Sequence, residues 1–492
     1  MIAGFSCLGT PSPAWEGTIN RRSVRKSAFL TKPRRDSIGL ELEDGSRVGV
    51  VGGGPAGSFF AYFLLGLAET SGKTIEVDIY EHRDFSTPAP AGCNMCGGIV
   101  SESLVQLLAA EGIVLPYTVI QRGIDSYVLH MDVGTVRIGT PLDEMRVGAV
   151  HRGLGPRDIK EPTWASFDGF LQSLTVAKGA RILRERVVKL GFEGGRPHVT
   201  SEGSSAAYDL LTIAGGVNSD TPEMIREMGI GYTAPKTAPT FIREYFLGKE
   251  VLQRTLGNSM HVFLLNIPGL EFAAIIPKGE YATVCLLGHA VDKNLAERFM
   301  GSPEVQACFP ADVKMPSRSC QCAPRINVGG ARPYFADRVL ILGDCGVARL
   351  YKDGIGSAYR TAKVAAAAAA FHGISAESFA RHFRPAVESI ESDNRLGRIA
   401  FGVTGQIQAH RFARRGLLRM TAAEQQQSAR TRRMSQVLWD VFTGSAPYRS
   451  VLMRTLHPTF LWRLLVSLIS ANVRPSAPRT RLGAEATHVP RS

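Results

Sequence analysis

The first clear hydrophobic pattern is a short apolar strand followed at once by a glycine turn and an apolar helix. Residues 47–51 are rich in valine, which predicts a buried strand of a parallel sheet. Residues 52–57 read Gly-Gly-Gly-Pro-Ala-Gly, and the apolar run at 58–65 predicts a helix. A second apolar strand is predicted at 75–80, and it ends at Glu81. The order predicts a strand–turn–helix–strand unit of an α/β sheet.

The glycine turn fits the spacing G-x-G-x-x-G, which predicts a dinucleotide-binding site. Gly52 would make the tight turn, Gly54 would let the backbone approach a pyrophosphate, and Gly57 would let the helix pack on the strand. Glu81 stands where a carboxylate binds an unphosphorylated ribose, which favours FAD or NAD over NADP. The cofactor-binding residues predicted from this unit are Gly52, Gly54, Pro55, Ala56, Gly57 and Glu81.

A second apolar strand followed by a glycine-containing turn and a helix is predicted near residue 340. Residues 338–342 predict another apolar strand, ending in Gly343-Asp344, and a helix is predicted through the alanines at 365–370. Alternation at 127–137 predicts a β-hairpin. Residues 373–472 predict basic amphipathic helices, whose apolar stripes at 438–442 and 460–469 are expected to pack against the nucleotide-binding domain.

The Gly343-Asp344 segment resembles the second FAD fingerprint of the flavoprotein monooxygenase superfamily, the p-hydroxybenzoate hydroxylase-like enzymes. The resemblance implies that Asp344 hydrogen-bonds the ribityl chain and that the following turn meets the pyrophosphate and the flavin. It therefore favours FAD over NAD. The cofactor-binding residues implied by this motif are Gly343, Asp344, Gly354, Ile355 and Gly356.

Four further segments resemble the geranylgeranyl reductase family within that superfamily. They are Cys96-Gly-Gly-Ile-Val-Ser101, the F-D-x-x-L segment at 167–171, the segment 272–277, and Leu350-Tyr-Lys-Asp-Gly-Ile355. The resemblance implies that Gly97 and Gly98 lie beside the flavin. It also implies a substrate pocket lined by Phe272, Ala274, Ile276 and Pro277.

The chain departs from the family pattern at three places. No arginine precedes Phe167, and Ala274 and Ile276 stand where the family has Trp and Phe, which should reshape the pocket. Gly215 replaces the aspartate of the superfamily's G-A-D-G-V-N-S motif. Because that motif serves the nicotinamide donor, NAD(P)H is expected to reduce the flavin slowly, and ferredoxin or another one-electron donor to reduce it faster.

The expected fold class is α/β: a discontinuous Rossmann-like FAD-binding domain, an inserted antiparallel-sheet substrate domain and a C-terminal helical region. The FAD-binding domain takes residues 46–125, 150–220 and 330–372, and the substrate domain takes 126–149 and 221–329. Residues 373–472 form the helical region, and 1–45 and 473–492 are expected to be disordered tails.

The expected function is that of an FAD-dependent oxidoreductase which transfers hydride to a C=C bond of an apolar, isoprenoid-like substrate. The alternatives are a flavin-dependent hydroxylase and an electron-transfer flavoprotein. A strand bearing Phe272, Ile275 and Ile276 would supply a dry pocket. Cys96, Tyr351, Lys352 and Asp353 are the candidate catalytic residues. The last three serve equally well as helix-capping and surface residues.

Two cysteine pairs, Cys93/Cys96 and Cys320/Cys322, are spaced as CxxC and CxC. The family resemblance places both pairs near the flavin, so they are expected to converge. Four thiolates in this pattern are able to hold zinc or an iron–sulfur cluster. The CxxC pair alone is able to act as a redox dithiol. The remaining alternative is that these cysteines only pack.

Composition limits the partners and the compartment. The net charge of +13 comes largely from the two tails, and no surface of interleaved basic and aromatic residues suggests nucleic-acid binding. Eight cysteines in 492 residues do not make a secreted disulfide scaffold. We expect a cytoplasmic protein, peripheral to the membrane through its C-terminal helices, or one targeted to an organelle by its basic N-terminal segment. The oligomeric state stays open.

Overall fold

The computed structural model describes residues 40–141, 147–157, 159, 163–309, 312–313, 320–427 and 431–473. Most of the two predicted tails lies outside these residues. Leu40 to Gly45 do not behave as a tail, because Leu42 is buried and the Leu40 carbonyl accepts a hydrogen bond from the Ile374 amide. The ordered chain therefore begins at least six residues before the expected boundary at 46.

In the described part of the chain the strands lie between residues 46 and 341. They are β1 Ser46–Val51, β2 Ile75–Tyr80, β3 Ile99–Val100, β4 Ile120–Ile124, β5 Ser126–Met131, β6 Gly134–Gly139, β7 Val147–Val150, β8 Arg181–Leu183, β9 Val187–Glu193, β10 Arg196–Ser201, β11 Ser205–Ala207, β12 Leu210–Ile213, β13 Thr237–Phe246, β14 Ser259–Phe263, β15 Leu270–Lys278, β16 Tyr281–Gly288, β17 Cys320–Cys322, β18 Arg325–Asn327, β19 Phe335–Ala336 and β20 Val339–Ile341.

The helices are concentrated in the last third of the chain. They are α1 Pro55–Thr70, α2 Glu102–Ala110, α3 Phe167–Ala177, α4 Thr221–Glu227, α5 Lys249–Thr255, α6 Lys293–Met300, α7 Pro303–Gln306, α8 Gly354–Phe371, α9 Ala376–His382, α10 Arg384–Ala409, α11 Arg411–Gln425, α12 Arg433–Thr443, α13 Tyr448–Thr455 and α14 Pro458–Val473.

The first domain is built on a six-stranded sheet in the order β19-β20-β12-β1-β2-β8. All of its pairings are parallel except β19–β20, which confirms the predicted Rossmann-like sheet. Helices α1 and α8 pack beside each other, and Tyr359 of α8 meets the rings of Phe59 and Phe63 edge-on at 5.4 Å. The alanines of α8 allow this close contact because they carry little side-chain volume.

The second domain is an eight-stranded sheet with the path β17-β13-β16-β15-β14-β5-β6 and β18 paired to β13. The predicted hairpin at 127–137 is confirmed as β5 and β6. One face of this sheet, with Tyr127, Ala274 and Ile276, packs against the C-terminal helices. The other face, with Phe263, Ile275 and Val284, is covered by α5, α6 and α7.

Two expectations about packing need correction. Helix α4, placed in the substrate domain from residue 221, contributes Met224 and Ile225 to the core of the first domain, so the second domain begins later. The apolar stripe at 438–442 packs on the substrate-domain sheet, where Trp439 and Phe442 flank Tyr127 at 5.2 and 5.7 Å. Amphipathicity predicted that this face is buried, but it carries no information about which sheet buries it.

Candidate functional site

The predicted glycine turn joins β1 to α1 with the expected geometry. Gly52 has φ 102°, and a Cβ there would lie 2.6 Å from the Ala214 carbonyl oxygen. A Cβ on Gly57 would lie 2.0 Å from the Gly52 carbonyl oxygen. At Gly54 the nearest atoms to a Cβ are side-chain nitrogens of Arg152 and Asn94, at 3.4 Å. Gly52 and Gly57 are therefore required by the turn itself, whereas Gly54 faces an open position above it.

Glu81 lies directly beside this turn, at the carboxyl end of β2. One carboxylate oxygen accepts a hydrogen bond from the Gly53 amide at 3.0 Å, and the other accepts one from the Arg83 amide at 3.0 Å. Gln172 of α3 donates to the Gly53 carbonyl at 3.0 Å. The acid thus borders the nucleotide site predicted from its position in the sequence.

A buried ion pair that the sequence did not predict covers the open side of the turn. Asp168 of α3 is fully buried, and Arg152, which follows β7, donates to both of its oxygens at 3.0 and 2.8 Å. Asn94 also donates to Asp168. The Arg152 guanidinium and the Asn94 amide both lie 3.4 Å from the position of a Cβ on Gly54, so they border the space above the turn.

The Gly343-Asp344 motif lies beside the first glycine turn, at the same edge of the six-stranded sheet. Gly343 has φ 65°, and a Cβ there would lie 2.8 Å from that of Ala56. The Asp344 carbonyl accepts a hydrogen bond from Asn327 at 2.7 Å. Burial raises the pKa of the Asp344 carboxyl, and the charge of Arg152 opposes this rise. The two halves of the predicted FAD site are therefore adjacent, and Arg152 links them electrostatically.

The turn at 351–353 separates its three candidate catalytic residues. Asp353 accepts hydrogen bonds from Ser101 and Arg360, both at 2.8 Å, so its carboxylate is committed to holding the turn. Tyr351 packs edge-on against Phe401 at 4.8 Å. Lys352 instead reaches the predicted pocket, where its Nζ lies 3.5 Å from the Phe272 ring centroid. Burial lowers the pKa of the Lys352 ammonium to about 7, and of the three residues Lys352 is the one that contacts a predicted pocket residue.

The predicted pocket strand, β15, presents only alternate residues to this site. Phe272, Ala274 and Ile276 face the first domain and the C-terminal helices. Ile275 packs in the opposite core, and Pro277 is in register with Ala282 of that same core. The assignment of Ile275 and Pro277 to the pocket is therefore corrected, because successive side chains of a strand point to opposite faces.

The segment Cys96–Gly98 is held between the two domains. A Cβ on Gly97 would lie 3.0 Å from the Cys285 sulfur, and one on Gly98 would lie 1.9 Å from the Val150 carbonyl oxygen. Lys278, which is buried on β15, extends its Nζ toward Gly98 and lies 3.6 Å from a Glu244 oxygen. The segment therefore has no room for larger side chains at either glycine.

The two cysteine pairs converge on one pocket, as the sequence suggested. Cys93, Cys96, Cys320 and Cys322 all line it, together with His151 and Glu244. Cys285 lies close by, because it and Cys322 are both in register with Ile242 on neighbouring strands. Burial raises the pKa of Cys322 and of Cys285 to about 12 in each case, which keeps these thiols protonated in the absence of a metal.

Among the described residues, no three of these pocket cysteines bring their sulfur atoms within 4.8 Å of one another. The predictions of zinc, an iron–sulfur cluster or a redox dithiol at Cys93, Cys96, Cys320 and Cys322 stay predictions. His151 is a pocket residue that the sequence analysis missed. Within the described part of the chain its Nε2 is buried with no hydrogen-bond partner, and its ring stacks on Trp164 at 5.7 Å.

Gly215, the departure from the superfamily's aspartate, has a steric reason in this chain. A Cβ at this position would lie 2.0 Å from the Thr221 hydroxyl, the first residue of α4. An aspartate would clash with the Thr221 side chain at the start of that helix. The substitution is therefore built into the packing of the first domain.

Comparison with known proteins identifies the fold. No protein-family model matches the sequence, and no curated protein sequence does. Solved structures do match. A geranylgeranyl bacteriochlorophyll reductase-like protein from Thermoplasma acidophilum has a TM-score of 0.58 at 15% identity, covering 86% of this chain and all of that one. A flavoprotein/dehydrogenase from Cytophaga hutchinsonii has a TM-score of 0.55 at 15% identity, covering 87% of this chain and all of its own.

A third match, the halogenase PltM in complex with phloroglucinol and FAD, has a TM-score of 0.55 at 12% identity and covers 88% of this chain and 93% of its own. The chain therefore has the fold of FAD-dependent flavoprotein oxidoreductases, which agrees with the resemblance found in its sequence. At these identities the likeness concerns the fold.

Proposed function

We propose that the protein is an FAD-dependent oxidoreductase that reduces a C=C bond of an apolar, isoprenoid-like substrate. The observation that carries the proposal is the contact of Lys352, whose Nζ lies 3.5 Å from the centroid of the Phe272 ring, with the apolar face of Phe272, Ala274 and Ile276. A solved structure of similar fold carries the description geranylgeranyl bacteriochlorophyll reductase-like.

The residues present fit FAD. Glu81 would bind the adenosine ribose, and the amides at the start of α1 would face the pyrophosphate together with Arg152 and Asn94. Asp344 and the turn before α8 would hold the ribityl chain and the flavin edge. When bound, FAD would supply hydride transfer to carbon, or oxygen activation in the alternative hydroxylase.

The chain itself would exclude water and supply a proton. Phe272, Ala274 and Ile276 form an apolar wall, so a substrate there would be dry. Lys352 would give its Nζ proton to the second carbon of the C=C bond, because an ammonium with a pKa of about 7 releases a proton at neutral pH. Cys96 and Tyr351 remain candidates for positioning, whereas Asp353 holds the turn.

An anaerobic assay with chemically reduced protein tests this function. Candidate isoprenoid alkenes should be converted to a product two hydrogens heavier without oxygen, as read by mass spectrometry. The rate should fall as the pH rises through about 7, because Lys352 loses its proton, and Lys352→Met should be slower by about 100-fold with a flat pH profile. Product that forms only with oxygen would instead establish the hydroxylase.

The same assay distinguishes the third candidate function, an electron-transfer flavoprotein, from the reductase and the hydroxylase. Oxidation of the flavin by a partner protein, with no turnover of any alkene, would establish an electron-transfer flavoprotein. We expect reduced ferredoxin to reduce the flavin faster than NADPH, since Gly215 replaces the usual aspartate. Rapid bleaching by NADPH in a stopped-flow trace would contradict that part of the proposal.

The proposed substrate class agrees with an exposed apolar face on α14. Trp462 is 66% exposed, and Leu461, Leu465, Ile469 and Val473 repeat along one side of the helix. Among the described residues no helix is long and apolar enough to cross a bilayer. We infer peripheral contact, with the face lying in the membrane interface where apolar substrates dissolve.

Vesicle flotation tests this contact. The full chain should float with vesicles of phosphatidylcholine and phosphatidylserine, and a Trp462→Glu/Ile469→Glu variant should stay at the bottom of the gradient. Val188→Glu, which changes an equally exposed apolar residue on β9, is the matched control and should float like the unmodified protein. If Val188→Glu stopped floating, or if the double variant still floated, membrane contact through α14 would be refuted.

A further inference from the structure

Three buried metal-ligating side chains converge on the face of the eight-stranded sheet that is turned away from the flavin site. They are His130 of β5, His261 of β14 and Cys308, which follows α7. His130 Nε2 lies 2.9 Å from His261 Nδ1, and the Cys308 sulfur lies 3.7 and 3.5 Å from these two nitrogens. All three residues are at most 5% exposed.

The strand pattern places this cluster away from the proposed catalytic pocket. Leu129 and Met131 pack in the core shared with the C-terminal helices, so His130 between them points to the opposite face. There its ring stacks on Phe263 at 4.6 Å, and Phe263 in turn contacts Phe299 of α6. The surroundings are apolar, and they belong to the layer formed by α6 and α7.

The triangle of ligand atoms has the size that a tetrahedral metal requires. Zinc–nitrogen bonds of about 2.0–2.1 Å and zinc–sulfur bonds of about 2.3 Å give edges of roughly 3.3 Å between two nitrogens and 3.6 Å between nitrogen and sulfur. The observed nitrogen–sulfur distances of 3.7 and 3.5 Å match these edges, and the nitrogen–nitrogen distance of 2.9 Å is slightly shorter. A small separation of the rings would admit the ion.

Each imidazole also has a second hydrogen-bond partner, as the rings of metal-bound histidines usually do. His130 Nδ1 lies 3.2 Å from the Thr135 hydroxyl, and the Leu256 backbone hydrogen-bonds the His261 ring. These contacts leave His130 Nε2 and His261 Nδ1 turned toward Cys308.

We propose that His130, His261 and Cys308 bind one transition-metal ion of the class that accepts imidazole and thiolate together, with zinc as the test ion. The Cys308 thiol releases its proton on binding, and the sulfur–metal bond replaces the S–H bond. The Glu304 carbonyl oxygen lies 3.4 Å from the sulfur and offers a fourth ligand. The ion fastens α7 and the segment after it to the sheet, which is a structural role.

Metal analysis of the full chain, purified with reductant and without chelator, tests the site. We expect about one zinc, or another ion of this class, per chain. Cys308→Ala and His261→Gln should lose it and keep the flavin content of the unmodified protein, because the cluster lies on the far face of the sheet. Chelator should lower the melting temperature of the unmodified protein but not that of Cys308→Ala.

Cys320→Ser is the matched control, because it removes a cysteine from the pocket beside the proposed flavin site and leaves this cluster intact. Metal retained by Cys320→Ser and lost by Cys308→Ala supports the inference, and the reverse pattern overturns it. If the histidine and Cys308 variants do not fold, Co²⁺ added to metal-free unmodified protein gives the answer. Tetrahedral d–d bands beyond the flavin absorption support the site, and metal-free protein whose spectrum and melting temperature do not respond to Co²⁺ or Zn²⁺ overturns it.

Discussion

Replacement of Gly54 by valine is expected to give a folded protein that no longer retains FAD. A Cβ at Gly54 meets side-chain atoms and no backbone, namely the ends of Arg152 and Asn94 at 3.4 Å and of Asp168 at 3.9 Å, so the turn tolerates it. The branched side chain would nevertheless occupy the space that the pyrophosphate needs. We expect at least about 100-fold weaker FAD binding, or roughly 2.7 kcal/mol, measured by flavin fluorescence on titration.

The control for this variant is Gly57→Val, three residues further on. There a Cβ would lie 2.0 Å from the Gly52 carbonyl oxygen, a backbone atom that cannot give way. This variant should fail to fold, as judged by circular dichroism and expression in soluble form. A Gly54→Val protein that binds stoichiometric FAD would show that the cofactor does not lie over this turn, and the proposed function would fall with it.

Separation of Arg152 from Asp168 is expected to cause a large loss of stability. Asp168→Ala leaves a guanidinium only 17% exposed without its partner, and Arg152→Met leaves a fully buried carboxylate. Each substitution should lower the free energy of unfolding by about 3–5 kcal/mol, because an unpaired buried charge keeps its desolvation penalty. The double variant should lose much less than the sum of the two, since it leaves no unpaired charge.

Urea unfolding of the four proteins in this cycle gives the coupling energy. Glu377→Ala, which breaks an exposed pair with Arg381 on α9, is the control and should change stability by no more than about 0.5 kcal/mol. Strictly additive losses for Arg152 and Asp168 would contradict the buried pair. Because Arg152 also faces Gly54, both single variants should bind FAD more weakly as well.

The sequence by itself determined the features that depend on neighbouring residues. The glycines at 52, 54 and 57 and the acid at 81 follow from the local geometry of one strand, turn and helix. The hairpin of β5 and β6 follows from the alternation of apolar and polar residues over eleven positions. The alanines of α8 predict a helix that packs closely against its neighbour. These patterns survive in any tertiary context because backbone periodicity and φ preferences act within a few residues.

Other features were decided only by the tertiary structure. Arg152 reaches Asp168 because β7 ends beside α3, and no spacing in the sequence announces that contact. The cysteine pairs lie together because β17 pairs with β13. Ile275 and Pro277 face away from the pocket because of the register in which β15 pairs with β16. The cluster of His130, His261 and Cys308 likewise needs β5 beside β14 and the turn after α7 above them. Contacts between distant segments depend on which strands pair and in which register, and a single sequence does not encode either in a local pattern.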